Sequence, residues 1–138
     1  MIYTSYYANL RNLPKTVIPI AISRKVPIYY QGLIYKKLAP PLWLVLDYKQ
    51  SGDQVFYTRM YRNDILNKLN KLEVIHDLAE LIGCENTTAG FPFCFDGGVD
   101  IALICYESPE KFCHRHIVAE WLNEDNAIIV NEWPRGGE

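Results

Sequence analysis

The stretch "CHRH", residues 113–116, has a cysteine, two histidines and an arginine at consecutive positions. A thiol, an imidazole and a guanidinium can supply a nucleophile, a proton carrier and a charge that stabilises an anion. Cys105 and Glu107 stand a few residues earlier, where an apolar run ends. We therefore take Cys113, His114 and Cys105 as the candidate catalytic residues.

The residues around this stretch predict the elements that hold it. The apolar run at 99–105 predicts a buried, central strand, and a second β-type run follows at 127–133. Ser108 and Pro109 suit the N-cap and the first position of a helix over 109–124. A strand, a helix and a strand in this order predict a C-terminal βαβ unit with parallel strands.

The helical wheel separates the four residues of "CHRH". At about 100° per residue, the apolar face of the helix is centred on His114. His114 is therefore predicted to be buried against the sheet, where it needs a hydrogen-bond partner. Cys113 and Arg115 lie at the two edges of that face. His116 lies on the opposite side and is predicted to be a surface residue that can pair with Glu120.

The rest of the chain completes an α/β pattern. Strands are predicted for "MIYTSYY" and "TVIPIAIS", and Pro19 must begin its strand or face an unpaired edge. Residues 24–41 are predicted to form a long loop. Three helices follow. Pro40-Pro41 and Gly52 mark the start and the end of the first, Asp53 marks the start of the second, and Asn70 and Gly83 mark the start and the end of the third. The order predicts a single α/β domain over 1–138, with an open, mostly parallel sheet and helices packed on it.

Several polar residues are predicted to meet at one edge of this sheet. Open α/β sheets bind ligands at the carboxyl ends of their strands, beside helix N-termini that attract anions. Cys105 ends one strand, Ser23 and Arg24 follow another, and the next loop adds two lysines and three tyrosines. The tyrosines suit either a ligand ring or an aromatic cover over the sheet. The residues assigned to an anionic small molecule or nucleotide are Arg24, Arg115, Ser23, Glu107, Lys36 and Lys37.

Charge is unevenly distributed along the chain. Residues 1–50 contain seven Lys or Arg and one acid, a balance of +6, while the remaining residues have a balance of −8. The basic half can form a patch for phosphates, attract the acidic half, or simply be solvated. Direct binding of nucleic acid is a further alternative, which the net charge of −2 disfavours as the main role.

The composition is typical of a globular protein, since the 138 residues are 49% hydrophobic and 22% charged. The apolar runs are too short to span a bilayer, so no membrane partner is predicted. The start of the chain lacks the basic and apolar regions of a secretory signal. A cytoplasmic location and reduced thiols for all four cysteines are therefore expected.

The cysteines also allow other interpretations. "CYESPEK" resembles a phosphatase loop in outline, but Lys111 stands where that loop needs an arginine, and the stretch has no glycine. The cysteines and a histidine could hold zinc, but their spacings are wide and no C-x-x-C or H-E-x-x-H motif is present, so no metal and no cofactor are predicted. Free cysteines that only pack in the core are the third alternative.

The stretch "ALICYESPEKFCHRHIVAEWL" resembles the signature of the family named domain of unknown function 488 (DUF488). The matching positions are Leu103, Cys105, Glu107, Cys113, His114, Arg115, Ala119 and Glu120. "IYTS" and "ISRKVP" resemble the opening strand and the Arg-then-Pro segment of the same family. Many members carry Asp-Val-Arg where this chain has Ile22-Ser23-Arg24, so an acidic group that could act as a base is absent here. The resemblance implies the fold and the location of the site.

Two functional classes follow from these residues. The first is a pocket at the carboxyl edge of the sheet that binds or acts on an anionic nucleotide-like or nucleic-acid ligand. In an enzyme of that kind, Cys113 or Cys105 is the nucleophile, His114 carries the proton, and Arg24 or Arg115 stabilises charge. The second is a non-catalytic module that binds a small molecule or contacts a protein partner.

Overall fold

The described part of the chain forms a five-stranded sheet in which all neighbouring strands are parallel. The computed structural model describes residues 1–84, 92–95, 98–124 and 128–134. The strands are Ile2–Tyr6 (β1), Val17–Ala21 (β2), Leu33–Ile34 (β3), Asp100–Cys105 (β4) and Val130–Glu132 (β5). Their order across the sheet is β3-β2-β4-β1-β5. The predicted α/β class is confirmed, and β4 is the predicted central strand.

Helices and short 3₁₀ turns connect the strands. The helices are Leu42–Ser51 (α1), Gln54–Asp64 (α2), Lys71–Leu81 (α3) and His114–Asn123 (α4). The predicted loop over 24–41 contains β3 and the 3₁₀ turn Lys36–Leu38. The predicted strand over 127–133 is shorter in the structure, and residue 127 lies outside the described residues. Within the described ranges, no helix combines the length and the apolar character needed to cross a membrane.

Two connections leave the middle of the sheet in opposite directions. After β1 the chain passes β4 to reach β2, and after β4 it passes β1 to reach β5 through α4. The last residues of β1 and β4, Tyr6 and Cys105, are in register with each other. Connections that leave neighbouring strands in opposite directions open a crevice at the carboxyl ends of those strands. The predicted βαβ unit is present, but β5 pairs with β1 instead of β4.

The two faces of the sheet are covered differently. On one face, the four helices bury a large core that includes Leu103 and Trp121. On the other face, a smaller cluster forms around Tyr7, Tyr30 and Ile104. Leu103 and Ile104 are neighbours on β4 that point to opposite faces, and neither is exposed. This is why the strand is apolar at nearly every position.

Pro19 lies inside β2, where it cannot donate a hydrogen bond. Ile22 donates its N–H to the carbonyl of Ile104 on β4, and alternate residues of a strand face opposite neighbours, so Pro19 faces the β3 side. There the pairing with β3 begins only at Ile20. The Tyr30 hydroxyl donates to the Leu33 carbonyl at 2.6 Å and also lies 3.2 Å from the Pro19 carbonyl. The prediction that Pro19 faces an unpaired edge is confirmed.

Helix α4 begins five residues later than predicted. Cys113 is its N-cap, with an extended backbone, and His114 is its first residue. Lys111 donates its N–H to the carbonyl of Ser108 at 3.0 Å and closes a turn instead of starting a helix. Phe112 then packs between one tyrosine of α1 and one of α2, with ring centroids 5.0 and 5.2 Å away. The N-cap prediction at Ser108 is wrong because these tertiary contacts hold the chain in another conformation.

The signals predicted for the middle helices are confirmed. At the start of α2, the Asp53 carboxylate accepts a hydrogen bond from the N–H of Phe56 at 2.9 Å. At the start of α3, the Asn70 side-chain oxygen accepts from the N–H of Glu73 at 3.1 Å. Gly52 ends α1 with a φ of 65°, in the left-handed region that favours glycine.

We expect Asn70→Ala to lower the free energy of unfolding by about 1 kcal/mol, because the N–H of Glu73 loses its acceptor. Asn70→Ser keeps an oxygen at the N-cap and should differ from the parent by less than about 0.5 kcal/mol. Denaturant unfolding of the three proteins measures both differences. Equal losses in the two variants would contradict the capping role.

Candidate functional site

A cavity of about 700 Å³ opens at the carboxyl edge of the sheet, between the ends of β2 and β4, helix α1 and the start of α4. The predicted site residues that line it are Ser23, Arg24, Cys105, Glu107, Cys113 and His114. Residues 23–24 and residues 105–114, which are far apart in the sequence, therefore converge on one cavity. The other three predicted residues, Arg115, Lys36 and Lys37, do not line it.

Arg115 lies behind the cavity wall and is fully buried. Its Nε and Nη2 atoms donate to the two carboxylate oxygens of Glu132 at 3.1 and 2.9 Å. Its Nη1 atom donates to the carbonyl of Glu107 at 2.5 Å and to Cys105 Sγ at 3.1 Å. The guanidinium also lies 5.5 Å from the centre of the Tyr6 ring. These contacts hold Arg115 behind the cavity, where it positions the residues of the site. The sequence predicted that Arg115 binds the ligand.

Glu132 is a member of this network that the sequence analysis missed. It lies on β5, and it accepts a further hydrogen bond from the Thr4 hydroxyl on β1 at 2.6 Å. The bidentate contact with Arg115 is the strong form of an ion pair, because two parallel N–H groups meet two oxygens. An acid at the end of a predicted strand was the available signal, but it does not name the partner.

His114 is buried, as predicted, and its hydrogen-bond partner is the carbonyl of Ile22 just after β2. The His114 Nε2 atom lies 2.8 Å from that oxygen. Because a carbonyl only accepts, Nε2 carries the proton and Nδ1 keeps its lone pair. Nδ1 lies 3.9 Å from Cys113 Sγ. Burial lowers the pKa of His114 to about 4, so the ring is neutral at physiological pH.

Cys105 and Cys113 lie next to each other at the floor of the cavity. The structure joins them in a disulfide, with Cα atoms 7.3 Å apart, and it joins Cys84 to Cys94 in a second one. The expectation of reduced thiols is therefore wrong for this structure. The turn over 106–112 returns Cys113 to the end of β4, and spacing along the chain does not reveal that approach.

Ser23 is buried and takes part in a hydrogen-bond chain at the cavity wall. Its hydroxyl donates to the carbonyl of Lys25 at 2.5 Å. Since that uses its only proton, the Tyr7 hydroxyl, 2.5 Å away, is the donor to Ser23. Burial raises the pKa of Tyr7, which keeps this hydroxyl protonated. The sequence identified Ser23 but not Tyr7.

An aromatic wall faces these polar groups across the cavity. Tyr48 of α1, Tyr57 of α2 and Phe112 line it and contact one another, with ring centroids 5.0 to 5.6 Å apart. Lys25 and Lys49 also line the cavity and are exposed. The sequence analysis missed Tyr48, Lys49 and Tyr57 because α1 and α2 carry no motif that connects them to β4.

Lys36 and Lys37 are exposed and lie away from the cavity, so the structure does not join them to the other predicted residues. The Lys37 ammonium forms an ion pair with the Asp77 carboxylate on α3 at 2.9 Å. The Tyr35 hydroxyl donates to the same carboxylate oxygen at 2.5 Å. The lysine therefore fastens the loop to α3, a role that only the tertiary structure reveals.

His116 is half-buried, whereas the sequence predicted a surface residue. Burial lowers its pKa, and its Nε2 atom has no hydrogen-bond partner among the described residues. Within the described residues, His116 does not form the predicted pair with Glu120. The Glu120 carboxylate lies 3.8 Å from Arg62 of α2 instead.

Comparison with known proteins gives one result for this chain. A family model described as "Active DUF488-N3 subclade" (DUF488-N3a) matches residues 6–126, a range that includes every predicted site residue. The chain has no match among the curated proteins or the solved structures.

We expect Arg115→Ala to lower the free energy of unfolding by about 3–5 kcal/mol, because it leaves the partly buried Glu132 carboxylate without its partner. Arg115→Lys keeps the charge but not the two-pronged contact, and should recover only part of that loss. Lys37→Ala is the matched control, since an exposed ion pair contributes about 0–1 kcal/mol. Denaturant unfolding that finds Arg115→Ala as stable as Lys37→Ala would contradict the positioning role.

Proposed function

The chain belongs to the DUF488-N3a family, and we propose that its cavity binds a small anionic ligand that carries a ring, of the nucleotide class. The observation that carries the proposal is the meeting of cations and aromatic rings in one cavity of about 700 Å³. That volume lies within the range of about 300–1,000 Å³ that is typical of small-molecule sites.

The cations at the cavity support an anionic ligand. Arg24, Lys25 and Lys49 are exposed and line the opening. None of the three forms an ion pair within the described residues. Their charges are therefore available to a phosphate or carboxylate, and an arginine can contact either with two parallel hydrogen bonds.

The start of α4 adds a second source of positive potential. Cys113 is the N-cap, and its side chain makes no capping hydrogen bond. The first N–H groups of a helix lack partners within the helix, and the helix dipole favours an anion beside them. Both Cys113 and His114 line the cavity, so this helix end and the basic residues act on the same space.

The aromatic wall supports a ring on the ligand. Tyr48, Tyr57 and Phe112 lie on the side of α1 and α2, together with apolar residues of α1. A base or another planar ring can pack on such a surface, while the charged part of the ligand meets the cations. We propose that this binding takes place in the cytoplasm. The proposed ligand is a free nucleotide rather than a nucleic-acid chain.

The word "active" in the family description favours an extension of the proposal, in which the same site is also catalytic. Arg115 donates a hydrogen bond to Cys105 Sγ, which would stabilise a thiolate once the disulfide is reduced. The unprotonated Nδ1 atom of His114 lies 3.9 Å from Cys113 Sγ, where it can accept a proton, although burial lowers the pKa of the ring to about 4 and makes it a weak base. If the double variant Cys105→Ser, Cys113→Ser binds nucleotide with unchanged affinity, the cysteines have no part in binding. Turnover measurements of the bound nucleotide with the parent chain then decide between an enzyme and a binding module.

We expect Arg24→Ala to weaken the binding of the tightest nucleotide by about tenfold or more, because one charge-assisted hydrogen bond contributes about 1.5–3 kcal/mol. Titration calorimetry with nucleoside mono-, di- and triphosphates identifies that ligand and measures the change. Arg11→Ala and Lys37→Ala remove exposed cations outside the cavity and should leave affinity within about twofold.

Two results would contradict the proposal. One is the absence of binding by any of these nucleotides at millimolar concentration. The other is an equal loss in all three variants, which would indicate attraction by overall charge. Binding to single-stranded DNA or RNA that exceeds nucleotide binding and falls steeply with salt would instead assign the basic half to nucleic acid.

A further inference from the structure

Three metal-ligating groups meet at the floor of the cavity. The sulfur atoms of Cys105 and Cys113 and one ring nitrogen of His114 all lie within 4.8 Å of one another. We propose that Cys105 and Cys113 in their reduced form, together with His114, bind one Zn²⁺ ion. The proposal concerns the metal alone and does not depend on the ligand proposed above.

The donors match the chemistry of zinc. Two thiolates and one imidazole are a known donor set for this ion, with Zn–S bonds of about 2.3 Å and Zn–N bonds of about 2.0–2.1 Å. Donors on a tetrahedral ion at those distances lie about 3.3–3.8 Å apart. The 3.9 Å between Cys113 Sγ and His114 Nδ1 is close to that range. Two thiolates also balance the charge of the ion.

The orientation of His114 favours coordination through Nδ1. The Ile22 carbonyl holds the proton on Nε2, so Nδ1 presents its lone pair on the side of Cys113. Metal-bound imidazoles in proteins are usually fixed by such a bond from the other ring nitrogen. The backbone after β2 therefore already provides the outer contact that a zinc-bound histidine requires.

Arg115 provides an outer contact for a sulfur ligand. Its Nη1 atom donates to Cys105 Sγ at 3.1 Å, and a hydrogen bond of this kind stabilises a ligating thiolate. The positive charge of Arg115 is balanced by Glu132, so the zinc site does not meet an uncompensated cation. The same guanidinium thus fixes both the end of β4 and its sulfur atom.

The disulfide and the zinc site are alternative states of one cysteine pair. A dithiol reductant converts the disulfide to two thiols and becomes a disulfide itself, passing two electrons and two protons to the protein. Zinc then binds the two sulfurs and releases two protons. The Cα separation of 7.3 Å exceeds the usual disulfide span of about 4.4–6.8 Å. Such a backbone suits two sulfurs that stand apart around an ion.

A zinc ion at this position would have an open coordination site. Three protein ligands leave a fourth position for water or a ligand, which is the pattern of catalytic rather than structural zinc. Each of the three residues lines the cavity, so the fourth position can face that space. The sequence predicted no metal, because a Cys pair eight residues apart matches no common zinc motif.

The test uses the full chain, reduced with a dithiol under anaerobic conditions and then freed of reductant. Competition with a chromophoric chelator should show one Zn²⁺ per chain, and metal analysis should give the same ratio. Cys105→Ser and Cys113→Ser should each weaken zinc binding by at least about 100-fold. Cys84→Ser and Cys94→Ser are the matched controls and should retain the parent affinity, because that pair lies outside the cavity.

Two further measurements keep the test decisive. Circular dichroism checks that every variant is folded, and Co²⁺ binding should give thiolate-to-metal charge-transfer absorption that is lost in the double serine variant at positions 105 and 113. The proposal is overturned if the folded chain binds no zinc although all four cysteines are shown to be reduced. It is also overturned if Cys105 and Cys113 stay oxidised in the dithiol reductant and the chain binds no zinc. Zinc retained by the double serine variant would overturn it as well.

Discussion

The ion pair between Arg115 and Glu132 is the interaction on which the candidate site depends. Burying the Arg115 charge and part of the Glu132 carboxylate is costly, and bidentate geometry and further hydrogen bonds to each partner offset that cost. Those bonds reach β1, β5, the end of β4 and the turn after it. One buried guanidinium therefore fixes the start of α4 against the sheet and contacts Cys105 Sγ, while the Ile22 carbonyl holds the neighbouring His114.

The location of the cavity follows from the order of the strands. The cavity lies at the carboxyl ends of β2 and β4, next to the point where the connections that leave β1 and β4 diverge. Helix α1 supplies an aromatic side, the segment after β2 supplies Ser23 and Arg24, and α4 supplies its N-terminus. The ends of strands, the start of α4 and charged side chains therefore lie together at the carboxyl edge of the sheet, beyond its apolar core.

Local chemistry was predictable from the sequence, and long-range contacts were not. The apolar run of β4 and the helix caps at Asp53 and Asn70 depend on neighbouring residues only, so their patterns identified them. The start of α4 depends on contacts of Phe112 with α1 and α2, and the partner of Arg115 lies 17 residues away. Six of the nine residues predicted from the sequence line the cavity, but the sequence could not separate a positioning arginine from one that lines the cavity.

Pro19 and the short strand β3 have a consequence for how this chain behaves beside other copies of itself. An exposed strand edge offers a row of free N–H and C=O groups on which another chain can add a strand. Here β3 is only two residues long, Pro19 on the neighbouring strand has no N–H, and the Tyr30 hydroxyl lies 3.2 Å from the Pro19 carbonyl. An approaching strand finds little to pair with, so this edge resists the stacking that leads to aggregation.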